Sequence, residues 1–189
     1  MKFLVLGLVL FLATHTVPMI PSLRAALVAR LGDNGWRGVH SLLAALGLGL
    51  IVWGFGQARW EGAPLWFETQ KGMRHATLLV LLPVFPLLFA AYLPGWIKGR
   101  VVHPMLVATI LWAVGHLLYV GSAPAVTLFA GFAAWALADR LSLARRRPGA
   151  VEVPPFGRND VIAVVLGLAV YGLFLWKAHL WLIGVSPLG

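Results

Sequence analysis

Six stretches of apolar residues, each close to the length that crosses a lipid bilayer, constrain the fold of this 189-residue chain more than any other feature. A spanning helix needs about 20 mostly apolar residues. Hydrophobic residues make up 60% of the chain and charged residues 11%. The sequence therefore predicts an all-α, polytopic membrane protein of about six transmembrane helices, packed as one bundle in a single domain over residues 1–189. The predicted spans are Phe3–Ile20, Val39–Phe55, Leu78–Trp96, Pro104–Val120, Ala123–Leu143 and Val161–Val185.

Helix-breaking residues mark the ends and kinks of these spans. Gly121 and Pro124 leave only a very short link between the fourth and fifth spans. Pro83 and Pro86 lie inside the third span and predict a kink, because proline removes a backbone donor and clashes with the preceding turn. The first span also resembles a secretory signal peptide, with a lysine followed by an apolar run. Since no A-x-A-like cleavage site follows it, we expect this helix to be retained.

The distribution of lysine and arginine between the loops predicts the orientation. Most of them fall in loops one, three and five, and positive charge favours the cytoplasmic side. We therefore expect these loops in the cytoplasm and both termini outside. A net charge of +9 carried by short loops indicates contacts with anionic lipid head groups, and not with nucleic acid. The residues in these three loops are Arg24, Arg30, Arg37, Lys98, Arg100, Arg140, Arg145, Arg146, Arg147 and Arg158, whereas the opposite side holds Lys2, Arg59, Lys71, Arg74 and Lys177.

Two histidines, His15 and His116, are predicted at mid-membrane depth. At a rise of 1.5 Å per residue, His15 lies about 18 Å along the first helix and His116 about 15–20 Å along the fourth, so that tilted helices would let them meet. An ionisable side chain in the hydrocarbon region is costly and indicates a functional site. Two imidazoles facing each other in a bundle core are suited to haem b. The alternative is an interhelical hydrogen bond from each histidine to a backbone carbonyl, Thr14 or Thr16.

Other residues near the helix ends allow both functional and structural interpretations. Gly115, beside His116, leaves room for a flat ligand or for a close helix. His103 begins the fourth helix and lies near Arg100 at the cytoplasmic interface, where it is placed to contact a haem propionate, a lipid head group or a substrate. It is equally well explained as a helix-start residue. Three further histidines are interpreted as residues of the membrane interface, namely His40, His75 and His179.

The missing motifs argue against several enzyme classes. The chain has no cysteine, so it cannot form a disulfide, a thiolate nucleophile or a Cys-ligated metal site. It has no H-E-x-x-H, no G-x-S-x-G and no phosphate-binding glycine loop, which argues against hydrolases and kinases. The segments Asp139-Arg140 and Arg158-Asn159-Asp160 are interpreted as clamps between helix ends, as contacts for a polar group of a ligand, or as surface ion pairs.

Several local patterns, in their order along the chain, resemble the NnrU family of small bacterial membrane proteins, which is related to plant and cyanobacterial 15-cis-ζ-carotene isomerases. The resemblance covers nearly the whole chain and implies an integral inner-membrane protein that binds haem b. The patterns are Gly35-Trp36-Arg37-Gly38, Ala91-Tyr92-Leu93-Pro94-Gly95, His103-Pro104-Met105, Leu111-Trp112-Ala113, Gly115-His116-Leu117, Ala138-Asp139-Arg140 and Arg158-Asn159-Asp160.

The resemblance also implies a ligand set for the haem. In the isomerase branch, the iron is held by histidines at the positions of His15 and His116. From their place at the cytoplasmic interface, we expect His103 and Arg100 to be outer or propionate contacts of the same haem. A redox-linked change of ligation then opens a site for a polyene, whose cis double bond rotates to trans. One departure is clear, because the cysteine that takes part in this exchange corresponds to Ala113 here, and the chain cannot perform a His/Cys exchange.

Three functions follow as alternatives. The first is a haem-dependent, redox-linked cis–trans isomerase of a carotenoid or another lipid-phase polyene. The second is a non-enzymatic accessory protein for nitrite and nitric oxide reduction, the denitrification context with which the NnrU name is associated. The third is a membrane methyltransferase, since His103-Pro104 at a helix start is similar to the arginine-histidine-proline motif of isoprenylcysteine methyltransferases. Val102 stands at the arginine position of that motif.

Overall fold

Helices that run back and forth through one bundle make up this protein. The computed structural model describes residues 1–68, 72–146 and 153–188, and in these ranges the only bridge between extended residues joins Leu65 to Ser122. The all-α prediction is therefore confirmed. Lys71 and Arg147, which entered the orientation argument, lie outside the described residues.

The first two helices form an antiparallel pair. Helix α1 covers Lys2–Thr16 and continues as a 3-10 turn at Val17–Met19. Helix α2 covers Pro21–Trp60, with a break at Gly32, whose φ of 72° is a conformation that favours glycine. The second helix thus begins well before the predicted Val39, because proline suits a first helical position and a segment rich in alanine and leucine follows it.

The remaining helices follow the predicted spans more closely. Leu82 and Pro83 form a turn between α3 and α4, which confirms the kink predicted from the prolines. A π-helix at Phe174–Ala178 joins α8 to α9. The bounds are α3 Met73–Leu81, α4 Val84–Tyr92, α5 Trp96–Val101, α6 Pro104–Leu117, α7 Ala123–Arg146, α8 Arg158–Leu173 and α9 His179–Ile183.

Five of the six predicted spans are long and apolar enough to cross a membrane, so this is a polytopic membrane protein. The exception is the fourth predicted span, because helix α6 ends at Leu117 before the predicted Val120 and has 14 residues. At 1.5 Å per residue it is about 21 Å long, shorter than the hydrocarbon core of about 30 Å. The five long stretches are Lys2–Met19, Pro21–Trp60, Met73–Tyr92, Ala123–Arg146 and Arg158–Ile183.

Glycines allow α1 and α2 to approach closely. A Cβ atom added to Gly47 would lie 2.8 Å from the backbone nitrogen of Phe11, and one added to Gly7 would lie 2.6 Å from the nitrogen of Ile51. Next to these contacts, Leu4 is fully buried and packs with Leu8 and Ile51. Small residues at such an interface increase van der Waals contact, which drives helix association in lipid.

We predict that Gly47→Ala destabilises the protein by about 1–3 kcal/mol, because the added methyl group overpacks the α1–α2 interface. Gly49→Ala is the matched control, since nothing lies within 4 Å of a Cβ at that position. Thermal unfolding in detergent measures both variants. Equal melting temperatures for the two variants would contradict this account of the interface.

Two charged side chains from neighbouring helices hold the short helix α5 at both ends. The carboxylate of Asp160 in α8, which is 2% exposed, accepts hydrogen bonds from the backbone N–H groups of Trp96 at 3.1 Å and Ile97 at 2.8 Å. Arg140 in α7 donates to the carbonyl oxygens of Val101, at 3.4 and 3.3 Å, and Val102, at 2.8 Å. Each charge complements the helix dipole at its end. The interpretation of Asp160 and Arg140 as clamps between helix ends is confirmed.

Asp160→Ala is expected to lower the free energy of unfolding by about 3 kcal/mol, because it leaves the buried N–H donors at the start of α5 without their charged acceptor. The control is Asp139→Ala, which removes a partly exposed ion pair with Arg146 at 3.1 Å. Such pairs contribute about 0–1 kcal/mol. Unfolding in detergent measures both variants. Equal losses in the free energy of unfolding would contradict the role of the Asp160 carboxylate as the acceptor at the start of α5.

Candidate functional site

Four of the six histidines form two ring pairs at different levels of the bundle. The rings of His15 in α1 and His40 in α2 have their centres 5.0 Å apart, and the planes are inclined by 65°. The rings of His116 in α6 and His179 in α9 have their centres 6.4 Å apart, and the planes are inclined by 18°. We call these the His15–His40 pair and the His116–His179 pair.

The His15–His40 pair lies among tryptophans near the end of α1. Trp36 is 7% exposed and its ring centre is 5.5 Å from that of His40. Trp135 of α7 lies 6.0 Å from His15 and donates its indole N–H to the hydroxyl oxygen of Thr16. The Nδ1 atom of His40 is buried and has no hydrogen-bond partner among the described residues. The sequence interpretation of His40 as an interfacial residue missed this contact with His15.

Backbone carbonyls determine which ring nitrogen carries the proton in both predicted ligand residues. The Nδ1 atom of His15 lies 2.7 Å from the carbonyl oxygen of Phe11, and that of His116 lies 2.8 Å from the carbonyl oxygen of Trp112. A carbonyl only accepts, so each Nδ1 donates and each Nε2 retains its lone pair. This is the tautomer in which a histidine binds a metal through Nε2. The expectation that these hydrogen bonds join different helices is wrong for both Nδ1 atoms, since each carbonyl lies one turn earlier in the same helix.

The calculated depths suggested that His15 and His116 could meet. The ring contacts of the described residues do not bring them together. The ring of His116 stacks on Phe129 of α7 at 4.4 Å, whereas His15 contacts Trp135. These two α7 residues are six positions apart, about 9 Å along the helix axis. Phe132 lies between them and contacts Phe11 of α1 and Trp112 of α6. Each histidine is thus paired with a different histidine, because aromatic rings occupy the level between them.

The surroundings of His116 are tightly filled. A Cβ atom on Gly115 would lie 2.7 Å from Cδ2 of Leu81, so α3 occupies the room that the sequence left for either a flat ligand or a close helix. Ala113, at the position of the cysteine in the isomerases, is fully buried and clusters with Ala125 and Phe129. This position lies in the packed core between α6 and α7.

His179 is the site residue that sequence reasoning missed. It follows directly on the π-helix at Phe174–Ala178, and π-turns occur frequently at functional sites. Its Nδ1 lies 2.7 Å from the carbonyl oxygen of Val185, so its Nε2 also retains a lone pair. The sequence assigned it to an interfacial belt of tryptophans. The position of His116 near the end of α6 was the one sequence signal that His116 and His179 could lie at the same depth in the bundle.

His103 and Arg100 lie at the opposite end of α6 from His116. Thirteen positions separate His103 from His116, about 20 Å along a helix. Val102 and His103 have φ values of 47° and 65°, a region that non-glycine residues rarely adopt and that often marks functional positions. Arg100 is exposed on α5. The structure therefore brings neither residue to the His116–His179 pair.

The two histidine pairs differ from a site for a bare metal ion. In the described part of the chain, no group of three or more histidine, aspartate or glutamate side chains is arranged to hold a metal. Each pair offers two imidazoles, a number that suits a cofactor with equatorial donors of its own. Two open cavities, of about 460 and 250 Å³, lie elsewhere, beside Met19 and Arg146 and beside Pro94 and Asp160.

Comparisons with known proteins agree with the order of motifs along the chain. The family described as NnrU protein matches residues 3–187, which is nearly the whole sequence. No curated protein and no solved structure shows significant similarity to the chain. The family match, the apolar helices and the motif order all concern the same residues. The chain therefore belongs to the NnrU protein family.

Proposed function

We propose that this membrane protein binds haem b with His116 as an iron ligand. The observation that carries the proposal is the hydrogen bond from Nδ1 of His116 to the carbonyl of Trp112, which keeps Nε2 free as a ligand atom between apolar helices. An imidazole held in this way is both oriented and made more basic. Bound haem would supply a redox-active iron centre within the lipid phase.

The second axial position has two histidine candidates. The family resemblance indicates His15, whose Nδ1 is also bonded to a carbonyl and whose Nε2 therefore fits ligation. The other candidate is His179, whose ring is stacked on that of His116 with the ring centres 6.4 Å apart. His15 and His116 fit the haem as individual ligands, but Phe11, Phe132 and Trp112 separate them as a pair. For a haem ligated by both His15 and His116, these rings would have to move apart.

Two activities are compatible with such a haem. The first is redox-dependent cis–trans isomerisation of a carotenoid or another lipid-phase polyene, which the family resemblance supports. The second is a non-enzymatic accessory role in nitrite and nitric oxide reduction. The buried Ala113 favours the second, because its methyl group cannot take part in the ligand exchange of the isomerases. A cis-polyene supplied to the purified protein distinguishes the two, since only the isomerase converts it to trans.

The spectrum of the detergent-purified protein, expressed with ample haem, tests the proposed cofactor. We expect a b-type Soret band, and reduced α and β bands after dithionite. His116→Ala should lower the haem content by about tenfold or more, since even weaker, indirect contacts to a metal contribute tenfold. The control is His75→Ala, an exposed histidine at the start of α3. A colourless parent protein, or full haem content in His116→Ala, would refute the proposal.

We further propose that the protein resides in a bacterial inner membrane, with loops one, three and five in the cytoplasm. The absence of cysteine makes this orientation directly measurable by single-cysteine labelling. We expect a membrane-impermeant maleimide to label Glu61→Cys in intact spheroplasts, and Lys98→Cys only after permeabilisation. Both positions are exposed, and the parent chain serves as the unlabelled control. Labelling of Lys98→Cys alone in intact cells would reverse the topology.

A further inference from the structure

The open cavity of about 460 Å³ lies between the end of α7 and the turn that joins α1 to α2. One part of its wall is apolar and the other part is basic. The apolar part includes Met19, Pro21 and Leu141, and the basic part includes Ser142, Arg145 and Arg146. Because sites for small molecules measure about 300–1,000 Å³, the cavity is large enough for the head of an amphipathic ligand.

The cavity lies at the depth of lipid head groups. Helix α7 has 24 residues and is about 36 Å long at 1.5 Å per residue, which exceeds the hydrocarbon core of about 30 Å. Its last turn carries Arg145 and Arg146, and this turn therefore extends into the polar region of the bilayer. Leu141, one turn earlier, is 62% exposed, so the apolar part of the wall is accessible to lipid.

The basic part of the wall carries positive charge that the described residues do not neutralise. Arg146 forms an ion pair with Asp139 at 3.1 Å, so these two charges offset each other. Arg145 is exposed and forms no hydrogen bond or ion pair with another described residue. The described lining of the cavity thus contains two guanidinium groups and no carboxylate, which favours an anionic ligand.

Arg146 is held in place before any ligand binds. Its guanidinium donates to the carbonyl oxygen of Pro18 at 2.9 Å, to the hydroxyl oxygen of Ser142 at 3.0 Å and to Asp139. A guanidinium has five N–H donors, so two remain for a ligand. A fixed side chain loses little further entropy on binding. Pro21 begins α2 at the same cavity, and the positive end of that helix dipole adds to the attraction for an anion.

We propose that this cavity binds the phosphate group of one anionic phospholipid. Arg145 and Arg146 contact the phosphate, since guanidinium groups match phosphate oxygens in charge and geometry. Met19 and Leu141 lie beside the glycerol and the first part of an acyl chain. A soluble phosphate compound would use the basic part of the wall alone, whereas a lipid uses both parts. Basic pockets between transmembrane helices bind anionic head groups in this way. The inference is independent of the haem proposal.

Native mass spectrometry of the detergent-purified protein, titrated with dioleoylphosphatidylglycerol, tests the site. We expect the first molecule of this lipid to bind more tightly than the first molecule of dioleoylphosphatidylcholine. Arg145→Gln should weaken its binding about fivefold, the contribution of one basic side chain close to an anionic lipid. Leu141→Asp should weaken it at least as much, because a carboxylate in the apolar wall repels the phosphate. Arg145→Lys keeps the charge and should keep most of the affinity.

Arg30→Gln is the matched control, because Arg30 is exposed on α2, does not line the cavity, and its replacement changes the net charge by the same amount. Equal weakening in Arg30→Gln and Arg145→Gln would overturn the proposal, since it would show attraction by overall charge alone. Equal affinity for the two lipids would overturn it as well. All three positions are exposed, and the melting temperatures of the variants in detergent check the fold. If Leu141→Asp does not fold, the comparison of Arg145→Gln with Arg145→Lys decides.

Glycerol 3-phosphate, added as a soluble competitor, separates a lipid from a free phosphate compound. We expect it to leave the bound phosphatidylglycerol in place, because it lacks the acyl chains that contact the apolar part of the wall. Displacement of the lipid by an equal concentration of glycerol 3-phosphate would assign the cavity to a soluble phosphate compound and overturn the lipid assignment.

Discussion

The lack of water in the hydrocarbon core is the constraint on which most of this structure depends. A polar group there must find its partner within the protein, because an unsatisfied donor or acceptor costs several kcal/mol. The hydroxyls of Thr14 and Thr16 accordingly donate to carbonyls one turn earlier, and Tyr171 donates to the carbonyl of Leu78 at 2.7 Å. The same requirement selects the tautomer of His15 and His116. The tautomer that leaves the Nε2 lone pair available is therefore a consequence of burial in the hydrocarbon core.

The spans could be predicted from the sequence because apolar length is a local property. The kink at Pro83 and the short link at Gly121 were equally local, since proline and glycine act on their own backbone. The early start of α2 was missed, because polar and basic residues between Pro21 and Val39 read as a loop although they form helix just as well. Helix α6 begins at Pro104 as predicted but ends at Leu117, three residues before the predicted Val120.

The candidate site was predicted only in part, because it depends on which helices touch. Depth along a helix could be calculated for His15 and His116, but depth says nothing about neighbours. The structure shows that α7 separates them with the rings of Phe129, Phe132 and Trp135. His179 looked like an interfacial residue because Trp176 and Trp181 surround it in the sequence. Its contact with α6 is a tertiary property that periodicity does not encode.

The π-helix before His179 determines which way that histidine faces. In a regular α-helix, the twelve positions from Gly167 to His179 would turn the histidine about 120° away from the glycine. Gly167 faces Pro86 of α4, where an added Cβ would collide with it. One extra residue in the π-turn brings the two to within about 20° of the same direction. The rotation of the last helix about its axis therefore decides whether His179 points into the bundle. Removing one residue from Phe174–Ala178 would turn His179 towards lipid, although no histidine would be substituted.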